Sequence, residues 1–403
     1  MSSPVAVDPT SAGVPVVDLL DPHFYVDLDR MHQTFTRLRQ QNPVYRDEVN
    51  GLWGVTRHAD VLAVERRSRA FATAHGHRSP PGAGGESLIN LDDPEHSARR
   101  RMVAKYFVPR TIATLEARVR ATVDELMAPA LDRGQMEVVS ELAGPLPSRT
   151  IAPIIGLPED RWVDIRRWSE VLMRFENSSV HPTAWDDAIA VMHEFGELLE
   201  RTIPERAGLV DGNDLLTLWA NAEGVGCPMD PATMIDEVGL FVGGGAETTR
   251  TVISRGLAAL CEHPDQWRRL KEDPSLIPLA VEELIRWVTP LNNMFRTVTT
   301  DGHIGPQPVS AGDRVILLYP SANRDEGVFD DSFRLDVGRT PNPHLSFGHG
   351  THFCIGAHLA RLETRVVLEQ FVDRVAEMSA DRCHLRGRPA QEWCVRGARR
   401  TRA

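Results

Sequence analysis

Ten residues near the C-terminal end constrain this chain more than any other segment: Phe347-Gly348-His349-Gly350-Thr351-His352-Phe353-Cys354-Ile355-Gly356. Three glycines around a single cysteine permit a tight, positive-φ loop whose backbone comes close to a bulky object. The apolar positions Ile355, Leu359, Leu362 and Val366 then fall four, three and four residues apart, which is one helical face. The cysteine is therefore expected at the N-terminus of a helix over Ile355 to Val375. Free N–H groups and the helix dipole there favour a thiolate. A thiolate so placed is a good soft ligand for iron, and His352 adds a polar group two residues away.

The remainder of the 403 residues reads as mainly α with a minor β-sheet region. Asp93-Pro94 has the form of an N-cap followed by Pro at the first helical position, which starts a helix expected to run to Phe107. Asp230-Pro231 repeats that signal and opens a helix of some thirty residues, ending near His263 before Pro264. A third helix is expected over Ser275 to Val288, stopped by Pro290. Leu52 to Thr56 and Val315 to Tyr319 are the best strand signals. The stretch Ala74 to Gly85, with its Pro and Gly residues, is expected to be a loop.

Composition narrows the function. A formal charge of −11 argues against a chain held on nucleic acid by its overall field. No apolar run approaches the ~18 residues of a membrane span, and Met1 to Val14 lacks the pattern of a secretion signal. The five cysteines form no CxxC pair, so free thiols in the cytoplasm are expected rather than a disulfide or zinc framework.

The ten-residue segment resembles the haem-binding signature of the cytochrome P-450 family, FGxGxHxCxG, at every defined position. The resemblance extends from about Asp21 to Gly397. It implies one catalytic domain over 21–397, between a flexible N-terminus (1–20) and a tail (398–403), folded as a triangular prism around a buried haem. It makes Cys354 the axial ligand of haem b iron, with Phe347, Gly348 and Gly356 shaping its loop. Three further segments agree. Glu283 and Arg286 stand at i and i+3 on one helical face and match the family's ExxR motif; with Arg339 they imply a structural network beneath the cysteine loop.

Gly243-Gly244-Gly245-Ala246-Glu247-Thr248-Thr249 lies inside the long helix. Each interior glycine costs ~1 kcal/mol relative to alanine, so three in a row require close packing of another helix or of a flat ligand. The segment is similar to the family's oxygen-binding motif, with Gly244 in place of alanine. That implies haem contacts from Gly244, Gly245 and Ala246, a Thr248 hydroxyl for bound dioxygen, and Glu247 as proton relay. His96 and Arg100 are four apart and share a face able to grip a carboxylate. By resemblance they bind haem propionate together with Arg296 and His352.

The resemblance also implies a mainly apolar substrate lining of Leu88, Phe175, Leu240, Phe241, Leu291, Met294, Phe295 and Trp393, with Asn292 and Asn293 as polar exceptions. It points to a monomeric monooxygenase taking electrons from NAD(P)H through a ferredoxin and ferredoxin reductase. Arg99, Arg101, Lys105, Arg361 and Arg365 form the expected docking patch. A steroid-like or secondary-metabolite substrate ranks first. Oxidation of a carrier-bound amino acid or peptide, coupling or desaturation without oxygen insertion, and a haem sensor are the alternatives.

Overall fold

The computed structural model describes residues 16–78, 85–174, 180–209, 212–225, 229–382 and 393–396; of 224–225, 380–382 and 393–396 it describes the backbone only. Half of the expected 74–85 loop, the first fifteen residues and the 398–403 tail therefore lie outside the described residues. The packed chain begins ahead of Asp21. Val17 and Leu19 are buried, and their N–H groups donate to Tyr45 Oη and Asp47 Oδ2, each at 2.8 Å.

The long helix spans Pro231–Glu262. It starts where the sequence places it because the Asp230 carboxylate accepts the Thr233 N–H at 2.7 Å. Helices Pro145–Ile155, Trp162–Arg174 and Ala184–Arg206 pack against it, as do Ile277–Val288 and Ala357–Arg374. The helix expected from Asp93 to Phe107 is shorter, Glu95–Ala104. Pro94 is its cap rather than its first residue, while the Asp93 carboxylate accepts from Ser97. The helix after the cysteine begins at Ala357, with Gly356 as cap, and Cys354 lies in the turn before it.

Both expected strands form, one residue displaced or shortened: Leu52–Val55 and Arg314–Leu318. They are parallel neighbours at the centre of a five-stranded sheet. Across it the order is Val44–Asp47, Leu52–Val55, Arg314–Leu318, Asn293–Val298, Phe71–Ala72. Asn293–Val298 was not expected as a strand, and it matters because alternate residues point to opposite sides of the sheet. Among the described residues no helix is long and apolar enough to cross a membrane.

A buried ion-pair network joins helix Ile277–Val288 to the chain leading into the cysteine loop. Glu283 and Arg286 have no solvent contact. Arg286 Nε and Nη2 donate to the two Glu283 oxygens at 2.7 and 2.8 Å. Arg339 Nε adds bonds of 3.2 and 3.1 Å. The remaining donors are used as well: Arg286 Nη1 reaches the carbonyls of Asn323 and Ser332 at 2.8 and 2.9 Å. Asn323 in turn accepts the Leu345 N–H at 2.7 Å and donates to Ser346 Oγ at 2.9 Å, next to Phe347.

Removing one member of a buried pair strands the other, at a cost of about 3–5 kcal/mol. Glu283→Ala is thus expected to lower the unfolding free energy by that amount in urea denaturation. Arg133→Ala, which breaks a surface pair with Glu141, should change it by less than about 1 kcal/mol. Equal losses in the two variants would contradict the structural role of the network.

Candidate active site

The cysteine loop is held by its glycines and one backbone bond. Gly348 and Gly350 adopt φ of 65° and 71°, where a side chain is strained. A Cβ on Gly350 would also meet the Glu65 carbonyl oxygen at 2.6 Å. The Cys354 N–H closes the loop by donating to the Phe347 carbonyl at 2.9 Å. Arg361 lies 4.5 Å from the centre of the Phe347 ring. Cys354 is a free thiol lining a cavity of about 460 Å³. Burial pushes that thiol up from its ordinary range, against the Gly356 N–H and the guanidiniums of Arg100 and Arg361. The helix terminus alone therefore does not make a thiolate here; a bound metal ion would, because a coordinating thiol loses its proton.

Above the loop, Asp236, Leu240, Gly244, Thr248 and Val252 all line the cavity. They recur every four residues along one face of the long helix. The glycine run serves two purposes. Gly244 faces open space, with no atom within 4 Å of where a Cβ would be, whereas a Cβ on Gly245 would meet Ile151 at 2.8 Å. Gly245 thus answers to helix packing, although it too borders the cavity.

Ala246 departs from its expected place. Two residues on from Gly244 it has turned some 200° about the axis, and it is buried in the core rather than at the cavity. Thr248 Oγ1 donates to the Gly244 carbonyl at 3.1 Å. Glu247 is not a cavity residue either. Its Oε1 takes Arg250 Nη1 at 2.6 Å and Ser169 Oγ at 3.4 Å, and Arg250 also reaches Glu170 at 3.0 Å.

The opposite end of the cavity is polar. His96, Arg100, Arg296 and His352 meet there as the sequence suggested, joined by Glu65, Thr73, His77 and Tyr319. The His96 and His352 rings lie 4.2 Å apart. His352 Nε2 is 3.1 Å from Thr73 Oγ1, and Arg100 Nη2 donates to the Phe353 carbonyl at 2.6 Å. Burial, then Arg296, pushes His352 down to about 2; burial, then Arg100, pushes His96 down. The positive charge therefore rests on the guanidiniums.

Both ring nitrogens of His96 are buried without a hydrogen-bond partner, which a protein rarely leaves so. A carboxylate seated beside two guanidiniums would accept the one N–H that a neutral His96 carries. The residues thus fit a haem: thiol below, Gly244 leaving room above, and donors at one edge for its carboxylates.

Of the expected substrate lining, Leu88, Leu240, Phe241, Leu291 and Met294 border the cavity. Phe295 does not. Strand alternation turns Met294 and Arg296 inward and sends Phe295 into the core beside Leu19 and Phe35. Asn292 is exposed, and Asn293 bonds with Tyr25. Phe175 and the Trp393 side chain lie outside the described residues. Sequence reasoning missed Asp236; Trp185 and Ile189, exposed apolar side chains bordering the cavity, fall in the Met173 to Phe195 region expected to meet substrate but were not singled out.

Arg99 leaves the expected docking patch. It is largely covered and pairs with Glu237 at 3.2 Å. Arg361 pairs with Glu282 and Arg365 with Glu116, at 2.6 and 2.7 Å, leaving Arg101 and Lys105 exposed.

A cysteine loop facing a glycine-bearing long helix across a cavity with guanidiniums at one edge defines a haem-thiolate enzyme. The family model of cytochrome P450 matches residues 161–375. Steroid C26-monooxygenase of Mycobacterium tuberculosis is 36% identical over 380 residues, covering 93% of this chain and 94% of that one. Linalool 8-monooxygenase of Pseudomonas putida is 34% identical over 375 residues, covering 89% and 92%. Among solved structures, CalO2 superposes with a TM-score of 0.84 at 28% identity, covering 95% and 98% of the two chains. A mutant of P450 EryK in complex with erythromycin B gives 0.83 at 30% identity, covering 94% and 98%. The chain belongs to the cytochrome P450 family, and it is a monooxygenase.

The divided glycine run gives opposite expectations for neighbouring positions. Gly244→Ala should stabilise the protein by up to ~1 kcal/mol through helix propensity while narrowing the cavity. Gly245→Ala should destabilise it by about 1–3 kcal/mol through overpacking against Ile151. Urea midpoints of the two variants check this, and a reversed order would contradict the assigned packing.

Proposed function

We propose that this monooxygenase hydroxylates a bulky apolar small molecule, steroid-like or of secondary metabolism, in the cytoplasm, as one catalytic unit that takes in the packed residues from Val17 onward. Haem b, dioxygen, and electrons from NAD(P)H through a ferredoxin and its reductase complete the system. The observation that carries this is the stripe Leu240, Gly244, Thr248 above the Cys354 thiol, continuing into an apolar chamber with Leu88, Leu291 and Met294. The activities of the relatives, on steroids and on linalool, support an apolar substrate.

The haem, when bound, supplies the iron that activates dioxygen so that one oxygen atom enters a C–H bond. Cys354 would ligate its iron, and Arg100, Arg296, His96 and His352 would hold its carboxylates. Thr248 holds a hydroxyl proton at Oγ1, now given to the Gly244 carbonyl, and can turn it toward the cavity. Glu247 sits with Arg250 and Glu170 between the long helix and Trp162–Arg174. From there it can pass protons inward only after rotating away from Arg250.

An optical titration of the ferric protein with steroids, macrolides, terpenoids and carrier-bound amino acids tests the substrate class. A low-to-high-spin shift with a steroid or terpenoid is expected, and a shift only with carrier-bound ligands would overturn the class. In the same experiment Cys354→Ser should lose the thiolate-type spectrum of the carbon monoxide complex.

The ferredoxin face rests on Arg101 and Lys105. Reversing both charges should slow ferredoxin-supported turnover at low salt, since rim charges act mainly on association rate. An unchanged rate would move the docking face elsewhere.

A further inference from the structure

One carboxyl in the cavity wall has no role in the account above. Glu65 ends the helix His58–Glu65 and is buried, with 4% exposed. Its Oε1 accepts the Tyr319 hydroxyl at 2.7 Å, and Arg296 Nη2 lies 3.8 Å from the same oxygen. Oε2 has no partner. The carbonyl of Glu65 occupies the space a side chain at Gly350 would need, so the residue is locked against the cysteine loop.

Arg296 is the shared element. On the reading above, it serves a haem carboxylate, and a carboxylate that takes Arg296 draws a counter-charge away from Glu65. An electron added to the iron puts a further negative charge inside the same wall. In a buried setting both changes favour the neutral acid.

Resting on the haem reading, we propose that Glu65 is a positioning residue that takes up a proton when the iron gains its first electron. The electron comes from the external donor protein and reduces ferric iron to ferrous. A solvent proton ends on a Glu65 carboxylate oxygen, so one charge of each sign enters the wall.

Burial pushes Glu65 up to about 7, against Arg296, the Tyr319 hydroxyl and the His349 N–H. Other charged or titratable groups face it from neighbouring elements. Tyr319 is raised well above its ordinary value by burial, and Arg78 also acts on it. The His349 ring is held down by burial and by Arg66, whose Nε donates to it at 3.2 Å.

The test is potentiometry of the haem-loaded protein from about pH 6 to about pH 9, because the haem carboxylate and the added electron both move the midpoint above that value. At fixed donor potential the ferrous-to-ferric ratio should fall with rising pH by up to about tenfold per unit, which is 59 mV for one electron. Glu65→Gln keeps the shape and an acceptor for Tyr319 but cannot titrate, and it should flatten the dependence. A flat wild type, or an equal slope in Glu65→Gln, would overturn the proposal.

If Glu65→Gln does not load haem, Tyr319→Phe serves instead. It removes the donor that favours the ionised carboxylate, so the pH midpoint should rise; an unmoved midpoint would overturn the proposal. Infrared difference spectra on reduction should contain a protonated-carboxyl band in the wild type, and its absence would also overturn it. A protein that takes up no haem would overturn the haem reading and this proposal with it, whereas a loaded protein whose potential ignores pH would overturn this proposal alone.

Discussion

The carboxylate of Glu283, shut off from solvent, ties helix Ile277–Val288 to the chain that leads into the cysteine loop. Two ionised partners in the interior are costly unless every lone pair and proton is used. Here they are used: Arg286, Arg339, Asn342 and the Asp336 N–H all donate to Glu283. The spare Arg286 donors end on carbonyls between Asn323 and Arg334. The bonds that satisfy the buried charge therefore fold the chain before the cysteine loop onto helix Ile277–Val288. Asn323 and Ser346 extend that hold to the residue preceding Phe347.

From there the site follows by local geometry. Gly348 and Gly350 turn the chain where no side chain fits against Glu65, and Cys354 is presented to the cavity at the start of the helix Ala357–Arg374. The long helix completes the space from above because its four-residue stripe faces the thiol while its other sides bury apolar residues. The guanidiniums at the cavity edge come from the helix Glu95–Ala104 and the strand Asn293–Val298. One end is thus polar and charged, and the other is apolar.

Much of this was legible because it is written in short-range pattern. The cysteine loop, the Asp230-capped long helix, the Glu283–Arg286 pair and the His96–Arg100 face each depend on residues within one or two turns. What was misread depends on an angle or a partner far along the chain. Ala246 belongs to the motif by type, but helical rotation carries it into the core. Phe295 lies between two cavity residues, yet the strand around it, held between Arg314–Leu318 and Phe71–Ala72, turns it away. Arg99 lies in an arginine run, but its charge is absorbed by Glu237, distant in sequence. Glu65 and Tyr319 carry no motif, and their importance appears only when the fold sets them beside Arg296.

On the proposed reading, Cys354 and the cluster around His96 hold one haem. A crystal structure with iron anomalous scattering measures it directly. An iron peak bonded to Cys354 Sγ is expected, with the macrocycle's carboxylates against His96, Arg100 and Arg296. Iron held by a histidine, or carboxylates directed away from that cluster, would contradict it.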